Sequence, residues 1–193
     1  MPLLDHFGLI APFYDRVLPP GDLSRLIEML DLPIQGALLD AGGGTGRISS
    51  ALQGLASQRV VADESIGMLR QVQEKGGLGP VQTHTELLPF AQGVFERVIM
   101  VDALHHVANQ EKTARELCRV LQPGGKLLVV EPDVRMFAVK MMALAEKLFL
   151  MRSHFLSHSQ IAQLFDCPDC QTRVEKEGIN TYIIVEKMSG GAG

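Results

Sequence analysis

Tryptophan is absent from this 193-residue sequence, tyrosine occurs twice, and aromatic residues make up only 5% of it. Packing must therefore rest on aliphatic side chains, and a hydrophobic share of 46% supplies enough of them for one substantial core. Basic residues are not in excess: 18 Lys and Arg face 22 Asp and Glu, for a net charge of -4. With no Lys/Arg cluster either, the footprint expected of a nucleic-acid-binding surface is missing. No apolar run approaches the roughly 20 residues needed to span a bilayer. The nearest, residues 134–151, is interrupted by Arg135, Lys140, Glu146 and Lys147. Cysteine is scarce as well. Cys118, Cys167 and Cys170 cannot all pair within the chain, and Met1-Pro2-Leu3-Leu4-Asp5 lacks the basic-then-apolar order of a signal peptide. The expectation is a reducing, cytoplasmic compartment.

What is present is an alternation of strands and helices. Leu23, Leu26, Ile27 and Leu30 share one helical face, with Asp22 as its N-cap and Pro33 beyond its end. Ala37-Leu38-Leu39 reads as a strand entering a glycine cluster, and Ile48, Ala51, Leu52 and Leu55 then repeat the helical spacing. A second strand at Arg59-Val60-Val61-Ala62 ends on Asp63 and leads to a helix around Met68, Leu69 and Val72. Val81-Gln82 is a weak third strand. Arg97-Val98-Ile99-Met100-Val101 is a strong fourth, apolar enough to be covered on both faces. Ala114, Leu117, Cys118 and Leu121 mark a helix that Pro123-Gly124-Gly125 should stop, and Lys126-Leu127-Leu128-Val129-Val130 is the fifth strand. Thr172-Arg173-Val174-Glu175 and Thr181-Tyr182-Ile183-Ile184-Val185 flank a link too short for a parallel crossover. The pattern predicts an α/β fold: a Rossmann-like, doubly wound, mostly parallel seven-stranded sheet closed by a C-terminal antiparallel hairpin. It is read as one domain over residues 1–188, with N-terminal cap helices over 1–33, a short substrate-capping insert over 131–171, and a frayed tail at 189–193.

Asp40-Ala41-Gly42-Gly43-Gly44-Thr45-Gly46 carries the chemistry. Ligands of open α/β sheets bind at the carboxyl ends of the strands, where this turn lies. Gly42, Gly44 and Gly46 let a ligand approach the backbone. Asp63, ending the second strand, is positioned for the hydroxyls of a ribose, and Asp40 for a cationic amino group. A nicotinamide dinucleotide site would require G-x-G-x-x-G/A. Counted from Gly42 the third position is Arg47, and from Gly44 it is Ser49, so both registers fail. A leading Asp suits the ammonium end of S-adenosylmethionine (SAM) better than a pyrophosphate.

In ordered motifs, residues 34–130 resemble the class I SAM-dependent methyltransferases, and among them the ubiquinone/menaquinone-biosynthesis C-methyltransferase-like group. Leu38 through Gly46 is similar to the first motif, and Asp63-Glu64-Ser65-Ile66-Gly67-Met68-Leu69 to the second. In that family the Asp holds the ribose and the Met lies near adenine. Glu86-Leu87-Leu88-Pro89-Phe90 resembles the stretch after the third strand. Phe95 through Val107 is similar to the fourth-strand motif, and Glu116 through Leu127 to the approach to the fifth strand. Ile10-Ala11-Pro12-Phe13-Tyr14-Asp15 resembles the N-terminal segment whose tyrosine covers the cofactor. The resemblance thus implies SAM bound by Asp40, Gly42, Gly44, Gly46, Asp63, Glu64, Met68, Asp102 and Tyr14, and S-adenosylhomocysteine as product. Two departures stand out. His84, followed by Thr85, occupies the place where the family carries an Asp for the adenine amino group, and an imidazole accepts that bond more weakly. The insert of about forty residues before the hairpin is short for this group.

Methyl transfer from a sulfonium needs alignment and exclusion of water more than it needs proton chemistry. His105 and His106 follow the fourth strand at the cofactor end and are the candidate general bases. Their alternative is structural, one packing on the sheet and the other capping a helix that starts near Asn109. His106 and Tyr14 are expected to face the methyl group, and Asp102 to position cofactor or loop. Residues 136–151 are apolar nearly all round a helix, which suits core or dimer interface first and a lipophilic acceptor second. His154, His158, Cys167 and Cys170 form H-x3-H followed by C-x2-C. A helix capped at Ser157 or Ser159 would separate the two pairs, so no metal is assigned.

The expected function is methylation of a small, lipophilic, quinone-like acceptor. The rival is a SAM-binding module that is regulatory or partner-dependent. Nucleic acid is not an expected partner, since neither a basic face nor a D-P-P-Y stretch occurs. No transmembrane segment is expected, peripheral membrane contact is compatible with the sequence, and the state is monomer or homodimer.

Overall fold

A computed structural model of the chain describes Ala11, Asp15, residues 23–132, His154, and residues 156–178 and 180–189. Tyr14, the cap expected at Asp22 and the apolar stretch 136–151 lie outside the described residues.

Paired apolar residues build the sheet from within. Side chains alternate across a strand, so neighbouring apolar residues serve opposite faces. Leu39, Val98, Leu127 and Ile183 enter one core cluster, whereas Leu38, Ile99, Leu128 and Ile184 enter another. These residues lie on β1 (Ala37–Ala41), β4 (Phe95–Val101), β5 (Leu121–Pro132) and β7 (Asn180–Lys187). With β2 (Gln58–Asp63), β3 (Gly79–Gln82) and β6 (Cys170–Glu177), the described residues form a seven-stranded sheet of order β3-β2-β1-β4-β5-β7-β6. The first five strands pair in parallel, and β7 runs antiparallel to both β5 and β6. The expected sheet and closing hairpin are both present.

Helices cover each face. Leu26 and Met29 of α1 (Ser24–Met29) and Ile48 of α2 (Arg47–Ala51) seal one cluster. Ala114, Leu117 and Val120 of α4 (Gln110–Val120), with Ile161 of α5 (His158–Leu164), seal the other. Between them in sequence, α3 (Ile66–Lys75) lays Leu69 and Val72 on Val61. Local polar residues start these helices: Ser65 accepts from Met68 N at 3.2 Å, Asn109 accepts from Lys112 N at 2.9 Å, and Ser157 forms a capping box with Gln160. Asn109 thus caps α4 itself, without a histidine.

Two sequence expectations are corrected. The second helix stops at Ala51 and does not reach Leu55. Leu121 is the first residue of β5, paired with Phe95, and Pro123-Gly124-Gly125 lies inside that strand. The register between β4 and β5 shifts there to absorb the turn-prone residues. Among the described residues, no helix is long and apolar enough to cross a membrane.

Candidate active site

The sheet order reverses between β1 and β4, so their carboxyl ends diverge and leave a crevice. Three acidic residues reach it from successive elements: Asp40 near the end of β1, Asp63 at the end of β2, and Asp102 just past β4.

The glycine turn fits between them with little space to spare. Gly42 has φ +67°, and its N–H donates to Ala62 O at 2.7 Å. A Cβ there would lie 2.8 Å from Ala103 Cβ, so only glycine suits both backbone and packing. Under the turn, Asp40 is 1% exposed and accepts from Ser49 Oγ at 2.7 Å. Burial raises its carboxyl from 3.8 to about 6, against the opposing effects of the Ser49 bond and Arg47. A Cβ on Gly43 would meet that carboxylate at 2.5 Å. The turn thus exposes backbone on its outer side above a buried, partly protonated acid.

Asp63 is oriented by backbone: its Oδ2 accepts from Gly44 N and its Oδ1 from Ser65 N, each at 2.9 Å. Met68 is buried, with its sulfur 3.9 Å from where a Cβ of Gly44 would sit, and Gly46 leads into α2 at φ +71°. Glu64 and His84 come together as an exposed pair, Oε2 to Nδ1 at 2.9 Å. Thr85 is turned elsewhere. Its hydroxyl is buried 3.0 Å from that of Thr113, bonding the loop to α4.

Asp102 sits at φ +52°, its N–H donating to Val130 O at 2.9 Å and its carboxylate 3.4 Å from Arg47. Burial and the nearby Glu131 raise its carboxyl above the usual range. The next turn, Leu104–His106, contains both candidate bases. His105 is 3% exposed, with Nδ1 2.5 Å from Glu131 Oε2. His106 is half-buried against it, ring centroids 4.0 Å apart. Burial first, and His105 second, lower the His106 imidazole to about 3, so it is neutral at ordinary pH.

Glu131 was not visible in the sequence pattern. Besides His105, it accepts from Ala103 N at 3.1 Å and Leu104 N at 2.8 Å, fixing the whole turn from the end of β5. A second unforeseen contact joins the N-terminal segment to the glycine turn. Asp15 accepts from the Thr45 hydroxyl, and Lys75 Nζ reaches both Asp15 Oδ2 and Thr45 O at 2.6 Å. These partners are 30 or more residues apart, so no local motif signals them.

Such a site combines a glycine turn, an anchored carboxylate at Asp63 and a half-buried, neutral imidazole at His106. Residues 39–129 match the family profile described as Methyltransferase domain. The Pseudomonas paraeruginosa ubiquinone/menaquinone biosynthesis C-methyltransferase UbiE is 32% identical over 142 residues, 65% of this chain and 56% of the relative. The Pasteurella multocida protein of that name is 38% identical over 104 residues, 49% of this chain and 39% of the relative. The chain therefore spans about half the length of the curated relatives it matches, or less. Among solved structures, a chain of the complex between the Haloferax volcanii Trm112 methyltransferase activator and a methyltransferase superposes with TM-score 0.83, at 14% identity, over 97% of this chain and 100% of that one. A SAM-dependent methyltransferase from Thermotoga maritima gives TM-score 0.76 at 20% identity, over 94% and 98%. The chain thus matches a methyltransferase-domain profile over residues 39–129, is similar in sequence to ubiquinone/menaquinone biosynthesis C-methyltransferases, and shares its fold with solved SAM-dependent methyltransferases.

Proposed function

We propose that the protein transfers a methyl group from SAM to a small, lipophilic acceptor of quinone-like character. The observation that carries this reading is the Asp63 carboxylate at the end of β2, anchored by Gly44 N and Ser65 N beside the glycine turn, where it would accept from the ribose hydroxyls. The outer face of Gly42, Gly44 and Gly46 would lie along the cofactor, with Asp40 beneath to balance its ammonium group. Met68 and the Glu64–His84 pair would border adenine, with Thr85 supporting that wall through Thr113. The family resemblance assigns Tyr14 to the cofactor, a role that rests on the sequence alone.

When bound, SAM supplies a methyl group on a positively charged sulfur, already activated for displacement. The protein's task is then to align the acceptor and exclude water. Glu131 holds His105 and the backbone of the turn, and His106 follows as a neutral imidazole. At about 3, its basicity suits orienting an acceptor hydroxyl and taking a proton only as the methyl group arrives. Asp102 would steady the turn through Arg47. The quinone-like acceptor is supported by the relatives named for ubiquinone and menaquinone biosynthesis.

Calorimetry with S-adenosylhomocysteine tests the cofactor half. Asp63→Ala should weaken binding by at least about tenfold, the scale of one lost charge-assisted hydrogen bond. Equal affinity in variant and parent would sink the reading. A second reading, activity only in complex with an activating partner, is favoured by the Haloferax volcanii neighbour. Tight cofactor binding by the isolated chain without turnover of a quinol panel would select it.

A further inference from the structure

All three cysteines of the chain converge at one point, on the side of the sheet away from the glycine turn. Cys118 comes from α4, Cys167 from the turn after α5, and Cys170 from the first position of β6. Their sulfurs all lie within 4.8 Å of one another, and each residue is half-buried. Cys170 pairs with Lys187 at the far end of β7, near where β5 begins. The cluster therefore sits by the amino ends of the parallel strands, whereas Asp40, Asp63 and Asp102 lie at the carboxyl ends.

We propose that the reduced form of this cluster is a metal site for a thiophilic d10 cation, Zn2+, ligated by Cys118, Cys167 and Cys170. Three thiolates at about 2.3 Å around a tetrahedral ion hold their sulfurs about 3.8 Å apart, a spacing within reach of these side chains. Cys167 and Cys170 are joined as a disulfide in the structure, with Cα atoms 5.3 Å apart. A small-molecule thiol reductant opens that bond: two reductant thiols become one disulfide, and two protein thiols are released. Binding of Zn2+ then displaces three protons, one from each cysteine, and leaves the fourth position to solvent.

The surroundings suit such an ion. The Cys167-Pro168-Asp169-Cys170 turn is already closed by Cys170 N donating to Cys167 O at 3.0 Å, and Met188 N holds Asp169 O at 2.8 Å. Lys187 Nζ donates to Cys118 O at 2.8 Å and to Leu121 O at 3.0 Å. Its positive charge neutralises the single negative charge of a Zn2+ tris-thiolate. The histidines of the H-x3-H pair are not part of this cluster: the His158 ring lies 3.2 Å from Lys176 Nζ, and the backbone N–H of His154 donates to His105 O at 2.7 Å, tying that residue to the turn after β4. Cys118, some fifty residues upstream, takes their place as ligand. The ion would tie the end of α4 to the start of the closing hairpin, a structural role separate from methyl transfer.

The test is a Co2+ titration of the full chain, reduced, metal-free and under anaerobic conditions. The expected result is saturation at one equivalent, with sulfur-to-cobalt charge-transfer absorption and intense tetrahedral d–d bands, both abolished by added Zn2+. Cys118→Ser should weaken binding by at least about tenfold, a lower bound set by the loss of even an outer-sphere partner. If that variant misfolds, thiol labelling of the parent decides: Zn2+ should slow the reaction of all three cysteines. Absence of charge-transfer bands, a Cys118→Ser variant titrating like the parent, or protection confined to Cys167 and Cys170 would overturn the proposal.

Discussion

Asp40 shows how a single buried charge couples stability to ligand. Its carboxyl is raised from 3.8 to about 6 because burial outweighs the Ser49 bond. Between those values the native state keeps a proton that the unfolded chain has released. Stability therefore falls as pH rises from about 4 to about 6, then levels off. At ~1.36 kcal/mol per pKa unit the loss is at most about 3 kcal/mol. Asp40→Asn removes the titration while leaving an amide that can bond Ser49. Urea denaturation from pH 4 to 7 should show the parent losing about 1–3 kcal/mol relative to this variant. A difference that does not change with pH would mean that burial does not control the charge. An ammonium group bound above Asp40 would favour its ionised form, so the residue that weakens the empty fold is suited to reward the occupied one. The places of Asp40 and Asp63 were legible in sequence because each closes an apolar strand, the first running straight into the glycine turn. The pairing of His84 with Glu64, and the loss of the Thr85 hydroxyl to Thr113, were not, because partners 20 and 28 residues away leave no spacing to read.

At the scale of elements, β5 does two jobs with one strand. Its middle is apolar on both faces, and its last turn-facing side chain, Glu131, is a buried acceptor for Ala103 N, Leu104 N and His105 Nδ1. Glu131→Gln is nearly isosteric, yet it replaces one acceptor oxygen by a donor, so at least one of three buried donors loses its partner. Each such loss costs about 1–3 kcal/mol. The expected outcome is a fall of that size in urea-derived stability, with kcat reduced more than KM is raised, because the turn carrying His106 loosens. Unchanged stability together with unchanged kcat would remove Glu131 from its positioning role. The strands themselves were readable from continuous apolar runs, since both faces are covered. The junction of α4 and β5 was not. Leu121 continues the helical spacing of Ala114 and Leu117, but a buried position satisfies either element, and its pairing with Phe95 places it in the strand.

Across the whole molecule, the glycine turn is where distant parts of the chain meet. Lys75 closes α3 onto Thr45 O, and Asp15 accepts from both the Thr45 hydroxyl and Lys75. Asp15, the glycine turn and the third helix are thus clasped through one ammonium group, a relation that depends on tertiary structure and has no counterpart in any local pattern. The Asp15 and Lys75 side chains are 38% and 23% exposed, so solvent screens the pair and its contribution is near 1 kcal/mol, about fivefold in affinity. Lys75→Met keeps the apolar stem and removes the clasp. S-adenosylhomocysteine should then bind about fivefold more weakly at low ionic strength, with the gap narrowing as added salt weakens the parent. Calorimetry at two salt concentrations separates the outcomes. A loss that persists unchanged in high salt would point to packing, and equal affinity at low salt would mean that the N-terminal segment does not act on the turn through Lys75.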